Sequence, residues 1–142
     1  MDVPAVFQVL DEVPPDVKSL ISGRLTAYNN AMFGSTGGHK GLFIPLEDQH
    51  GQVEGGLSGR TARGWLDIDI LFIPEPLRGK GLVGKLLALA EEEARRRGCK
   101  GAHIQTANPA ATTAYQKYGY EIFGTIDHFI DDFALTMMMK RF

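Results

Sequence analysis

The chain has 142 residues, of which 44% are hydrophobic and 23% charged, and its net charge is -2. That length and balance suit one ordinary globular domain spanning residues 1–142. The charge gives no basis for binding nucleic acid or a membrane surface, and no run of about 18 apolar residues marks a transmembrane helix.

Residues 5–10 form a short apolar run that reads as an edge strand. Pro14-Pro15 ends it, and Pro15 can open a helix because its missing N–H would be unpaired there anyway. That helix is expected to reach about Phe33, with Val17, Leu20, Ile21, Leu25 and Tyr28 at helical spacing. Residues 34–41 read as a loop rich in Gly, Ser and Thr. Two strands follow at 42–47 and 53–60, joined through Asp48-Gln49-His50-Gly51, where Asp and Gly tolerate turn dihedrals. Residues 64–73 form the clearest strand. Strict alternation puts Leu66, Ile68, Ile70 and Phe72 on one face and Trp65, Asp67, Asp69, Leu71 and Ile73 on the other.

After Pro74 and Pro76 comes the strongest helix, 81–97. Leu82, Leu86, Leu89 and Ala90 make its apolar stripe. Glu91–Arg95, Glu92–Arg96 and Glu93–Arg97 are acid-to-base pairs at i, i+4, so the charges read as a solvated face. Gly98 stops the helix. A strand at 102–106, a helix at 109–118 ended by Gly119, and strands at 120–126 and 134–141 complete the chain. The predicted architecture is mixed α/β (α+β), a mostly antiparallel sheet of about seven strands flanked by about three helices.

The N-terminal residues lack a basic stretch followed by an apolar one, and the single Cys99 can form no internal disulfide. Both point to a cytoplasmic protein. The scattered His39, His50, His103 and His128 suggest no metal site. Met137-Met138-Met139 reads as core and interface.

The chemistry centres on one loop. Gly79, Gly81 and Gly84 match G-x-G-x-x-G between a strand and a helix. Gly79, Gly84 and Lys85 match the start of G-x-x-x-x-G-K-[ST]. Such loops let backbone approach an anion, and the first N–H groups of the following helix bind phosphate. A magnesium-binding P-loop needs Ser or Thr where this chain has Leu86. A dinucleotide fold needs an acid about 20 residues downstream, and none lies between Glu93 and Glu121.

Ile73-Pro74-Glu75-Pro76-Leu77-Arg78-Gly79-Lys80-Gly81 resembles the cofactor motif of the GNAT superfamily of acyl-CoA-dependent N-acetyltransferases. There an aliphatic residue ending a strand lies five places before Arg or Gln, followed by x-x-G-x-G/A. Asn108-Pro109-Ala110-Ala111-Thr112-Thr113-Ala114-Tyr115-Gln116-Lys117-Tyr118-Gly119-Tyr120 resembles the second motif of that family. One departure is Val83, at a place where the family prefers Gly or Ala.

The resemblance implies transfer of an acetyl group from acetyl-CoA to a primary amine, by direct attack in a ternary complex. It implies cofactor contacts from Arg78, Gly79, Lys80, Gly81, Leu82, Val83, Gly84, Lys85 and Asn108. Backbone groups of Leu71, Phe72 and Ile73 would pair with the pantetheine arm. Tyr115 would protonate the leaving thiolate, since a phenol with a pKa near ~10 suits that task. Asp69, or its neighbour Asp67, is the candidate base. His103 and Gln105 share one face of their strand and read as structural. The acceptor would be a small molecule or a protein amine. The acidic segment 127–132 is expected near the cleft mouth. Members of the family are often homodimers, and a homodimer is the assembly the resemblance suggests. A CoA-binding sensor without catalysis, or a nucleotide-binding module, would use the same glycines.

Overall fold

The computed structural model describes residues 7–34 and 38–142. The chain divides into two compact units, Met1–Thr36 and Gly37–Phe142. In the first unit, helix α1 spans Pro15–Phe33, with Pro at its first position and Asp16 in its first turn. An early proline leaves no helical bond unmade and an early acid complements the helix dipole. Gly34, at φ 85°, ends it by donating its N–H to the Asn30 carbonyl at 2.9 Å. The expected edge strand at 5–10 is corrected: residues 7–10 belong to no strand, and Ala5 and Val6 lie outside the described residues. Residues 35–37 of the expected loop lie outside them as well.

The second unit is one sheet of six strands. They are β1 (Lys40–Glu47), β2 (Val53–Ala62), β3 (Trp65–Phe72), β4 (Gly101–Thr106), β5 (Glu121–Ile130) and β6 (Phe133–Arg141). Their spatial order is β1-β2-β3-β4-β6-β5, antiparallel except for the central β3–β4 pair. A parallel pair needs a crossover, and helix α2 (Leu82–Arg96) supplies it. Helix α3 (Pro109–Lys117) links β4 to β5. The β2–β3 hairpin closes on Arg63 and Gly64, both at positive φ, as a two-residue turn between twisted strands requires.

One buried cluster joins α2 and α3 to the sheet. Leu57, Leu66, Leu87, Ala90, Ala94, Ala102 and Met138 in it are fully or almost fully buried. Truncating one of its leucines to alanine costs about 2–5 kcal/mol in cores of this kind. The buried stripe of α2 is Leu86, Leu87, Ala90, Glu91 and Ala94, and Leu89 is exposed. The stripe is therefore rotated from the one expected, and it carries a glutamate inward.

Of the three expected i, i+4 ion pairs only Glu93–Arg97 forms, at 2.7 Å. Glu93 also pairs with Arg96 one residue nearer. Arg95 lies over the Phe142 ring. Arg97 reaches the Lys40 and Gly41 carbonyls and Thr61, so it ties α2 to the start of β1. The hydrogen bonds to Arg96 and then Arg97 hold the Glu93 carboxyl down at about 2.

Candidate active site

The site begins with a fault in β3. Across from β2, Ser58 faces Ile70 and Gly59 faces Ile68, which leaves Asp69 as an extra residue, a β-bulge. A bulge moves the following side chains to the opposite face. Leu66 and Ile68 are buried before it, and Ile73 is buried and Leu71 packs on the core after it. Ile70 and Phe72 are exposed instead. The strict alternation expected for this strand thus fails at Asp69.

The sheet parts at the same place. β3 and β4 pair only from Trp65–Gly101 to Ile68–Ile104, although both strands run on. A pocket of about 620 Å³ lies where they end. That volume suits a sizeable small-molecule ligand. Leu71, Phe72 and Ile73 line one side, the loop Leu77–Arg78–Gly79 and the start of α2 the floor, and α3 the other side.

The loop is built for backbone approach. Gly79 and Gly81 have φ of 78° and 74°, a conformation that favours glycine. A Cβ at either position would meet nothing within 4 Å. The space above them is open. Gly81 caps α2 without any side-chain cap, and the first helical bond runs from Lys85 N–H to the Gly81 carbonyl at 3.3 Å. The N–H groups of the first turn stay available, at the positive end of the helix dipole. The charged residues lining the pocket are Arg78 and Lys117, both cations. Arg78 donates from Nε to the Ile73 carbonyl at 2.9 Å and stacks on Phe72. This fixes the guanidinium while its terminal nitrogens make no ion pair among the described residues. The loop, the cations and the open space fit an anionic, phosphate-bearing group.

Gly84 does a different job. A Cβ there would lie 2.5 Å from the Tyr118 ring. Its absence lets α2 and α3 pack closely. Gly84, Lys80, Lys85 and Asp69 are not among the pocket-lining residues, whereas the other expected contacts are. Val83 lines the pocket and packs against the core.

Asn108 caps α3. Its Oδ1 accepts from the Ala110 N–H at 3.0 Å, which leaves its amide NH2 for the pocket it lines. Tyr115 is only 6% exposed, and burial raises its phenol pKa. No hydrogen bond from its hydroxyl is found among the described residues, yet no buried side-chain oxygen or nitrogen there lacks a partner. The hydroxyl oxygen is therefore not fully enclosed, and Tyr115 lines the pocket.

Outside the pocket, Asp67 lies between Arg60 at 3.8 Å and His103 at 3.6 Å. Asp69 is exposed at the bulge. Cys99 is buried, and burial pushes its thiol up, away from a nucleophile's range. The acidic segment 127–132 forms the tip of the β5–β6 hairpin. Sequence reasoning missed Leu77, Ala110, Ala111, Ala114, Lys117 and Tyr118 as pocket residues. The spacing from Tyr115, four residues back to Ala111 and three on to Tyr118, was a readable signal for those two.

The profile of the Acetyltransferase (GNAT) family matches residues 7–120. An acetyltransferase of Agrobacterium fabrum is 43% identical over 136 residues, 96% of this chain and 98% of the relative. Blasticidin-S acetyltransferase of Streptomyces morookaense is 32% identical over 94 residues, 66% of this chain and 69% of the relative. Among solved structures, an Agrobacterium tumefaciens protein described as an acetyltransferase superposes with a TM-score of 0.91 at 42% identity, covering 96% of this chain and 99% of that one. An acetyltransferase from Bacillus cereus shares the fold, with a TM-score of 0.81 at 20% identity over 95% of this chain and 98% of its own.

Proposed function

The chain belongs to the Acetyltransferase (GNAT) family and is an acyltransferase; from that premise we propose that it moves an acetyl group from acetyl-CoA to a primary amine in the pocket between β3 and β4. The observation that carries the reading is Tyr115, a buried tyrosine that lines a pocket whose charged residues are cations.

Arg78 and the N–H groups of the first turn of α2 hold the pyrophosphate, aided by Lys117 and the Asn108 amide. The backbone of Leu71, Phe72 and Ile73 takes the pantetheine arm as an added strand, and one of its N–H groups faces the developing oxyanion. Acetyl-CoA supplies the acyl group as an activated thioester. The acceptor nitrogen bonds to the carbonyl carbon, the carbon–sulfur bond breaks, the sulfur takes the proton from Tyr115, and the second proton shed by the nitrogen restores the phenol through water. Asp69, exposed where the strands part, receives the proton that the acceptor ammonium must lose, directly or through water. In this proposal the chain, residues 1–142, is a single transferase domain. A small-molecule amine is the acceptor class we favour, because one relative is named for acetylating blasticidin S.

The test is incubation with acetyl-CoA and a panel of primary amines that includes blasticidin S, following free thiol and acetylated product. Equal amounts of thiol and acetylated amine are expected. CoA binding without turnover of any amine would make the protein a sensor. Binding of ATP without binding of CoA would make it a nucleotide module.

A further inference from the structure

Glu91 is the charged residue buried in the middle of α2, and its side chain is 5% exposed. Its two carboxylate oxygens have different partners. Lys140, on β6, donates from Nζ to Oε1 at 2.7 Å. Tyr120, at the entry to β5, donates its hydroxyl to Oε2 at 3.0 Å. Lys140 Nζ donates a second hydrogen bond to the Tyr118 carbonyl at 3.0 Å. The Tyr120 ring lies 6.4 Å from the Tyr115 ring. The Tyr118 and Tyr120 N–H groups both donate to the Tyr115 carbonyl. The C-terminal end of α3 is thus tied to α2 through one buried carboxylate.

A second tie lies two turns away. Residues seven apart share a helix face, so Glu91 follows Gly84 along the same side of α2. At Gly84 the Tyr118 ring fills the place of a side chain. The tie at Glu91 is the deep one, with a side chain 5% exposed, and in the other tie Tyr118 lines the pocket. Tyr115, its ring 6.4 Å from that of Tyr120, lies on the helix whose end both ties hold. Stability alone accounts poorly for the deep tie, because a buried ion pair contributes little more than apolar groups of the same size.

We propose that Glu91, with Tyr120 and Lys140, is a positioning device that sets the distance between the helix whose first turn binds the cofactor and the helix that carries Tyr115. The proposal rests on the reading of Tyr115 as the acid. These side chains touch neither substrate. They act by holding α3 in register, so that the Tyr115 proton meets the leaving sulfur.

The experiment is a kinetic cycle. It uses the wild type, Tyr115→Phe, the triple variant Glu91→Leu/Tyr120→Phe/Lys140→Met, and all four substitutions together. Removing the whole buried set leaves no lone charge, which keeps the triple variant folded. With acetyl-CoA and the panel amine turned over fastest, the triple variant is expected to lose about 10- to 100-fold in kcat. Its KM for acetyl-CoA should change by less than about threefold, because uniform binding is untouched. In the Tyr115→Phe background the same three substitutions should cost less than about threefold, because the groups act as one unit. An unchanged kcat in the triple variant, or an equal loss in both backgrounds, would overturn the proposal. If Tyr115→Phe alone turns over like the wild type, the acid assignment fails and this inference falls with it, by a result visible in the single variant. Should the triple variant not fold, Tyr120→Phe alone takes its place and is read in the same way.

Discussion

Tyr115 shows how one residue is tuned by where it sits. Burial disfavours the phenolate and raises the pKa, so the hydroxyl keeps its proton above the usual tyrosine value near ~10. An acceptor amine has to lose a proton before it attacks, with a pKa also near ~10. The two requirements point the same way. The kcat/KM profile should rise with pH as the amine deprotonates and show no basic limb below about pH 10. A rate that fell away with a midpoint near pH ~8.5 would assign the acid to another group. The two acids of β3 differ in their surroundings. Asp67 lies between Arg60 and His103 and has a structural explanation, whereas Asp69 is the bulged residue.

At the scale of elements, the site depends on a strand that breaks step and on two helices that approach closely. The glycines of the loop were legible as a phosphate-binding pattern, and their positions gave the strand-to-helix turn. What each glycine does was not legible. Gly79 and Gly81 answer to backbone dihedrals, and Gly84 to the Tyr118 ring packed against it. Gly84→Ala should therefore destabilise the fold by about 1–3 kcal/mol through overpacking. Denaturant unfolding would measure this, and Tyr118→Leu in the same chain should recover most of the loss. Unaltered stability of Gly84→Ala would contradict the packing account. The bulge at Asp69 left no mark in the sequence, because alternating side chains look the same whether or not the partner strand keeps register. Glu91 did leave one. Leu87, Ala90, Glu91 and Ala94 fall at i, i+3, i+4 and i+7, the stripe of a buried face. The run of acids and arginines around it drew attention to i, i+4 pairs, and only Glu93 and Arg97 make one.

For the whole molecule, the order of helices and strands was readable from Pro15 onward, because prolines, glycines and hydrophobic periods punctuate it clearly. The apolar run before Pro14 carried a strand-like pattern without a partner strand to pair with, and residues 7–10 form no strand. The sheet order is a tertiary fact. Only the parallel β3–β4 pair, joined through α2, brings the two sequence motifs to opposite walls of one pocket. The central claim is that acetyl transfer takes place in that pocket with Tyr115 as the acid. It is tested most directly by the rate of thiol release from Tyr115→Phe at saturating acetyl-CoA and amine, beside its affinity for CoA. The account predicts a fall of about 10²- to 10⁴-fold in rate, with CoA affinity changed by less than about threefold. A Tyr115→Phe enzyme that releases thiol at the wild-type rate would contradict it.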